Sequence, residues 1–218
     1  MATKTEIANL ALSHLGIGKE IANLDNEKSQ EAVTMRRFYE QCRDAVLRDF
    51  AWPFATKFAA LALVSDPPTE TAEWNFSYRY PAECLMLRRI QTDVRIDTHQ
   101  SRIVFKIGRD DAGLLIYTDE EEAKVEFTFR EEDPGRYPAD FILALSFRLA
   151  VYAAPRLTGG DPFKLGGRSL QLYMQEISMA QASAGNESVP DLLPDAEQIR
   201  AREGEFLPPG RGNGTPFI

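Results

Sequence analysis

Carboxylates are the most abundant groups in this sequence with chemistry to offer. Asp110, Asp111 and the run Asp119–Glu122 hold the paired acids that a hydrolase uses as proton donor and base. Calcium would need an alternating D-x-D-x-D-G order, and neither run has it. Acid–base work also needs one carboxyl held away from water, yet both runs stand among other charges between apolar segments. Gly108-Arg109-Asp110-Asp111 and Asp119–Glu122 therefore read as solvated hairpin turns, whose like charges discourage stray strand pairing.

The remaining reactive residues are scattered. His14 falls on or beside the inner face of the first helix and His99 in a polar turn. Neither has the spaced Cys, His or acid partners of a zinc site. Cys42 and Cys84 form no disulfide framework and lack the electropositive, helix-start setting of a reactive thiolate. They read as small buried residues in a reducing cytoplasm. "GIGKE" and "LTGGDPFKLGG" lack phosphate-loop spacing, and no G-x-S-x-G occurs. Gly159-Gly160 and Gly166-Gly167 read as hinge and turn residues where the last helix begins. Arg36-Arg37 and Arg88-Arg89 are too isolated for a phosphate track, and surface salt bridges or an acidic neighbour account for them. Net charge is -8 over 218 residues, which argues against a grip on nucleic acid. No catalytic residue, cofactor or metal is assigned, and the expectation is a protein that is not an enzyme.

The elements that would position these residues are clearer. Thr3 and Glu6 make a capping box. Ile7, Leu10, Ala11 and Leu15 then share one helical face, with Gly16 as the stop. A longer helix starts near Ser29 with Ala32, Met35, Tyr39, Cys42, Val46 and Phe50 as its seam, and Glu31, Arg36, Arg37, Glu40, Arg43 and Asp44 opposite. It must end at Trp52-Pro53. Short β-branched and aromatic runs follow: "FAALALVS", "WNFSYRYPAECLMLRRIQTDVRI", "RIVFKI", "GLLIYT" and "KVEFTFRE". They predict an antiparallel sheet or small sandwich. Pro138 is expected at the first position of a third helix that is apolar almost all round. Such a helix lies at the centre of a bundle, or between a bundle and a neighbouring subunit, with Phe147, Arg148 and Val151 at that interface. A fourth helix runs from about Leu165 to Ala184, with Leu165, Leu172, Tyr173, Ile177 and Ala180 inward. After Gly185 proline, glycine and acid dominate, which predicts an arm that orders on a partner, with a short helix at most around Asp195–Arg202.

The fold expected is α+β. Residues 1–52 and 137–185 form an antiparallel helical bundle, 53–136 an inserted antiparallel β domain, and 186–218 an extended C-terminal arm. Trp52-Pro53 marks the exit from bundle to β domain. Proline enforces the stop, and tryptophan buries a large area at the seam, roughly 150–250 Å² for a big aromatic. No segment is long and apolar enough to cross a bilayer, and the start "MATKTEIANLALSHLG" has no export-signal pattern.

Three segments in this order carry a resemblance: Ala11–Ala55 with its W-P-F-A turn, Tyr78–Ile90 "YRYPAECLMLRRI", and the apolar helix Phe141–Gly160. Together they resemble the tail tubular protein A family, the head-to-tail adaptors of short-tailed and related bacteriophages. The resemblance covers most of residues 5–180, but not the strands between Arg95 and Arg130. It implies a homo-oligomeric ring of twelve under the portal protein, which extends the DNA channel, lets double-stranded DNA pass without specific binding, and receives a distal tail or nozzle protein. It implies a virion neck or tail location after synthesis in the host cytoplasm, and no membrane. The bundle and arm would face the portal and the β domain the tail. Phe206, Leu207, Phe217 and Ile218 are the arm's natural anchors. Two other classes stay open: a tail-associated carboxylate-dependent hydrolase, and a small monomeric protein-binding module.

Overall fold

The computed structural model of the protein describes residues 2–68, 71, 73–91, 103–159 and 162–187. Within them the chain is a mixed α+β fold of helices and antiparallel sheets. His99, residues 92–96, and the arm beyond Glu187 with Phe206, Leu207, Phe217 and Ile218 lie outside the described residues.

Helix α1 (Lys4–His14) opens on the expected capping box. Glu6 N donates to Thr3 Oγ1 at 3.2 Å, and Thr3 N donates to Glu6 Oε2 at 2.8 Å. Gly16, at φ 72°, ends it in the left-handed conformation that glycine adopts without strain. The connector behind it is pinned to α1. Asn9 satisfies both the N–H and the C=O of Ile21, at 2.9 and 3.0 Å, while Ile21 and Leu24 are buried. Helix α2 (Gln30–Asp49) is capped by Ser29 and buries the predicted seam of Ala32, Met35, Tyr39, Cys42 and Val46. Arg43 departs from the expected outward face and is only 4% exposed. Asp44 makes that possible by pairing with it at 2.8 Å, because a buried cation needs a partner.

Among the described residues seven strands lie between α2 and α3 in the chain. They are β1 (Thr56–Ala60), β2 (Leu63–Ser65), β3 (Phe76–Arg79), β4 (Cys84–Ile90), β5 (Phe105–Asp110), β6 (Gly113–Thr118) and β7 (Lys124–Phe129). All pairs are antiparallel, in a three-stranded sheet ordered β1-β7-β4 and a four-stranded sheet ordered β2-β3-β6-β5. Both sheets contribute to one small core, with Tyr78 and Ile116 from one meeting Leu87, Val125 and Phe127 from the other. The two expected turns differ from the prediction. Gly108, Arg109 and Asp110 belong to β5, and the reversal falls at Asp111-Ala112. Asp119–Glu122 makes no hairpin. It carries the chain from one sheet to the other, since β6 and β7 do not pair, and Glu122 takes φ 54° there.

Helix α3 (Ala139–Leu157) is preceded by Pro138, which caps it in an extended conformation instead of occupying its first turn. Helices α1, α2 and α4 (Pro162–Glu187) all pack on α3. Phe141, Ala144, Leu145, Leu149, Ala150, Ala153 and Ala154 are buried by that packing. Of the two placements expected for this helix, these residues take the central one, while Tyr152 stays 46% exposed. Gly166 and Gly167, expected as turn residues where the last helix begins, lie inside it. A Cβ on Gly166 would stand 3.5 Å from Ala154 Cβ and 3.7 Å from the carbonyl oxygen of Val151. Pro155, within α3, has no N–H to offer that carbonyl.

Candidate functional site

The most constrained place in the molecule is the end of α2. A helix leaves its last carbonyls without partners, and α2 has no glycine cap to supply them. Two side chains from beyond the helix do so. The Trp52 indole N–H donates to Val46 O at 2.9 Å. Arg88 reaches across from β4 and donates to the carbonyls of Leu47, Arg48 and Phe50 at 3.0, 3.1 and 2.7 Å, while its Nε donates to Thr128 Oγ1 at 2.8 Å. Nη2 alone faces the three carbonyls, so its two protons are shared among them, and the guanidinium charge complements the negative end of the helix. Trp52, 1% exposed, packs edge-on against Phe50 and Phe141, with ring centroids 5.0 and 5.1 Å away. Asp44 adds a second tie from α2, to Arg130 just past β7, at 3.0 Å.

The acids first considered for catalysis are engaged in structure. Arg79 pairs with both oxygens of Asp110, at 2.8 and 2.9 Å, and the N–H groups of Ala112 and Gly113 donate to Asp110 Oδ1. The guanidinium foremost, and then these N–H groups, pull the Asp110 carboxyl down to about 2. It is an ionised turn-former with no proton to give near neutrality. Asp119 accepts the N–H of Asn75 at 3.0 Å and so ties the crossing segment to β3. Among the described residues no three His, Cys, Asp or Glu side chains gather as a metal site.

His14 and Ser146 make the one pair that looks nucleophilic, with Nε2 and Oγ 3.0 Å apart. The serine donates its only proton to Leu143 O at 2.7 Å, so its oxygen accepts from the histidine. Ser146 is fully buried, and the His14 ring stacks on Phe147 at 4.1 Å. A base that donates to a buried hydroxyl cannot activate it. Burial lowers the His14 pKa and pushes the Cys42 thiol up to about 12. Cys84, half-buried, is raised for the same reason, and both cysteines are free.

Of the three residues expected at a subunit interface, Phe147 and Arg148 are engaged within the subunit and Val151 keeps part of its surface open. Phe147 is 8% exposed, under His14. Arg148 is directed inward, 3.6 Å from Asp49 Oδ2 and 4.9 Å above the Tyr173 ring, while the Tyr173 hydroxyl donates to Asp49 at 2.6 Å. Val151 is half-buried. Exposed apolar side chains stand elsewhere: Phe163 (89%), Met174 and Met179 on α4, and Phe58, Leu63, Val104 and Ile107 on and beside the strands. The α4 residues had a legible signal, because Phe163, Gly167, Leu170 and Met174 recur at helical spacing off the inner face. Arg88 had an indirect one: a helix ending "LRDFAWP", without a glycine cap, needs a donor from outside. No protein-family model and no curated protein matches this chain.

Proposed function

We propose that this chain is a structural head-to-tail connector of a tailed bacteriophage. Twelve copies would form a ring beneath the portal, extend the DNA channel and receive the distal tail component. What supports this reading is that the three segments carrying the resemblance meet in space. Trp52 and Phe50, from the first, touch Phe141 of the third and Arg88 of the second. Segments far apart in sequence that converge on one seam belong to a single structural unit, as a shared fold requires.

In this proposal α1–α4 are the antiparallel bundle, the strands are the inserted domain, and the residues after Glu187 are an extended arm for the portal, anchored through Phe206, Leu207, Phe217 and Ile218. With Phe147 and Arg148 engaged inside the subunit, ring contacts fall to the outward residues of α4, above all Phe163 and Met174. Exposed apolar patches of this kind mark protein contacts, and a ring needs one such face to meet a different face of the next copy. The sheets' exposed apolar residues would meet the distal protein. Net acidity of -8 suits a conduit that DNA slides through.

Light scattering of the purified protein, alone and with portal rings, tests the proposal. Assembly on the portal is expected, and Phe163→Asp with Met174→Asp should abolish it at unchanged melting temperature. A chain that stays monomeric and ignores portal rings overturns it in favour of a small binding module.

A further inference from the structure

An open groove of about 320 Å³ lies where the Trp52-Pro53-Phe54 turn faces the end of α4. Phe50, Pro53 and Phe54 make one wall above a Trp52 floor, and Ala180 and Ala184 make the other. An aromatic and proline wall opposite small residues suits a proline-rich extended segment. Such segments dock in aromatic-lined grooves because they lose little conformational freedom there.

The chain itself supplies such a segment at the groove's edge. Helix α4 runs to Glu187, three residues past Ala184. The sequence then reads "SVPDLLP", Ser188–Pro194. Pro190 cannot prolong a helix and disfavours helical geometry at Val189. Leu192 comes five residues after Glu187, a reach of about 16–18 Å when extended. The distance back to Ala184 along the helix is only about 4.5 Å.

We propose that this groove is the seat of the chain's own Val189–Pro194 segment, with Leu192 entering between Phe54 and Ala184. The three-residue turn of such a segment then sets Val189 beside Leu192 on the groove side. It turns Asp191 and Leu193 outward, which keeps the Asp191 charge away from Asp140 at the groove's end. Tethering supplies a high effective concentration without a large interface. The root of the arm is thereby fixed to the subunit, and the residues after Pro194 are left to reach a partner. The inference does not rest on the connector proposal.

Amide hydrogen exchange by mass spectrometry on the full chain, without portal, tests it at two protein concentrations fifty-fold apart. Peptides covering 188–194 are expected to exchange at least tenfold more slowly than those covering 208–214, equally at both concentrations. Leu192→Asp should remove that protection and Leu193→Asp should retain it. Ser183→Trp, an exposed position that fills the groove mouth, should act like Leu192→Asp. Free-peptide exchange at 188–194 in the wild type overturns the proposal. So does equal behaviour of the two leucine variants. Protection lost on dilution overturns it too, in favour of a second copy. None of these outcomes bears on portal binding, which is measured separately.

Discussion

Around α3 the chain closes a continuous core from four helices, while among the described residues the sheets share a smaller cluster built on Tyr78, Leu87, Ile90, Ile116, Ala123, Val125 and Phe127. The contrast begins in side-chain size. On α3 and α4 the buried positions Ala150, Ala153, Ala154, Ser169 and Ala180 are small, and Gly166 lies against Ala154. The sheets carry Phe58, Leu63, Val64, Val104 and Ile107 at the surface over this smaller core, as the helices carry Phe163, Met174 and Met179 over theirs. Their outside support is the end of α2, through Arg88 and the Asp44–Arg130 pair. A part that fills its own interior keeps its shape unaided. A part with a thin core and apolar surface depends on its neighbours, in this case α2 and whatever the sheets dock against.

The largest effect is expected where the two regions join. Trp52→Ala removes a fully buried indole, its contacts to Phe50, Phe54 and Phe141, and the donor to Val46 O. Chemical denaturation should show a loss of about 3–5 kcal/mol. A loss near zero would mean that the helical core does not depend on the seam, and the contrast with the sheets would need another cause. Arg88→Met comes next. It keeps the apolar stem but strands the carbonyls of Leu47, Arg48 and Phe50, at a cost of about 1–3 kcal/mol. If the sheets lean on α2, the loss should appear as an earlier transition in exchange protection of β4 and β7, with α3 unchanged. One unsplit transition would show that both regions unfold as a unit and that the sheets are no more dependent than the helices.

Helical periodicity was the most legible feature of the sequence, because each apolar face points at one partner, α3. Ile7, Ala11, Met35, Tyr39 and Val46 are buried where their spacing put them. Trp52 was legible too, since a helix stopped by proline leaves a junction that a large ring can seal. What periodicity could not convey was which element covers α3. An all-round apolar helix reads the same whether its last face meets α4 or another molecule, and Phe147 was misplaced for that reason. Sheet membership was equally hidden. Asp119–Glu122 has the composition of a hairpin turn, but composition does not say whether the flanking strands pair. Arg88 was expected in a surface salt bridge or against an acidic neighbour, because its actual partners are backbone carbonyls about forty residues away, which leave no mark in its own neighbourhood.

A smaller effect, confined to the sheets, is expected at Gly108. A methyl group there would stand 2.4 Å from the Tyr117 ring, which covers the glycine across the β5–β6 pair. The ring must move, so Gly108→Ala should cost about 1–3 kcal/mol. If the sheets are the looser region, the change should speed exchange in β5 and β6 and leave α1–α4 at wild-type protection. Spread of the effect into α3 would erase the distinction.

Acid offers the gentlest way to separate the two regions, because His14 serves one and Asp110 the other. His14 is held below 6.5 by burial, beside Phe147 and Ser146 and with Arg168 of α4 lining the same cleft. Below pH 6.5 the unfolded chain therefore binds the proton more readily than the folded one. Stability from this site falls as pH drops from 6.5 to the folded value, then levels off. Asp110 titrates from the ordinary 3.8 to about 2, so its contribution is whole above roughly pH 4 and is lost as pH falls through about 2. Exchange protection should weaken first in α1 and α3 below pH 6.5, and in the β5–β6 hairpin only below pH 4. His14→Gln should flatten the upper limb alone and Asp110→Asn the lower limb alone. If either variant changes both limbs, the helices and the sheets respond to protons as one body, and the separation drawn from their cores does not extend to their electrostatics.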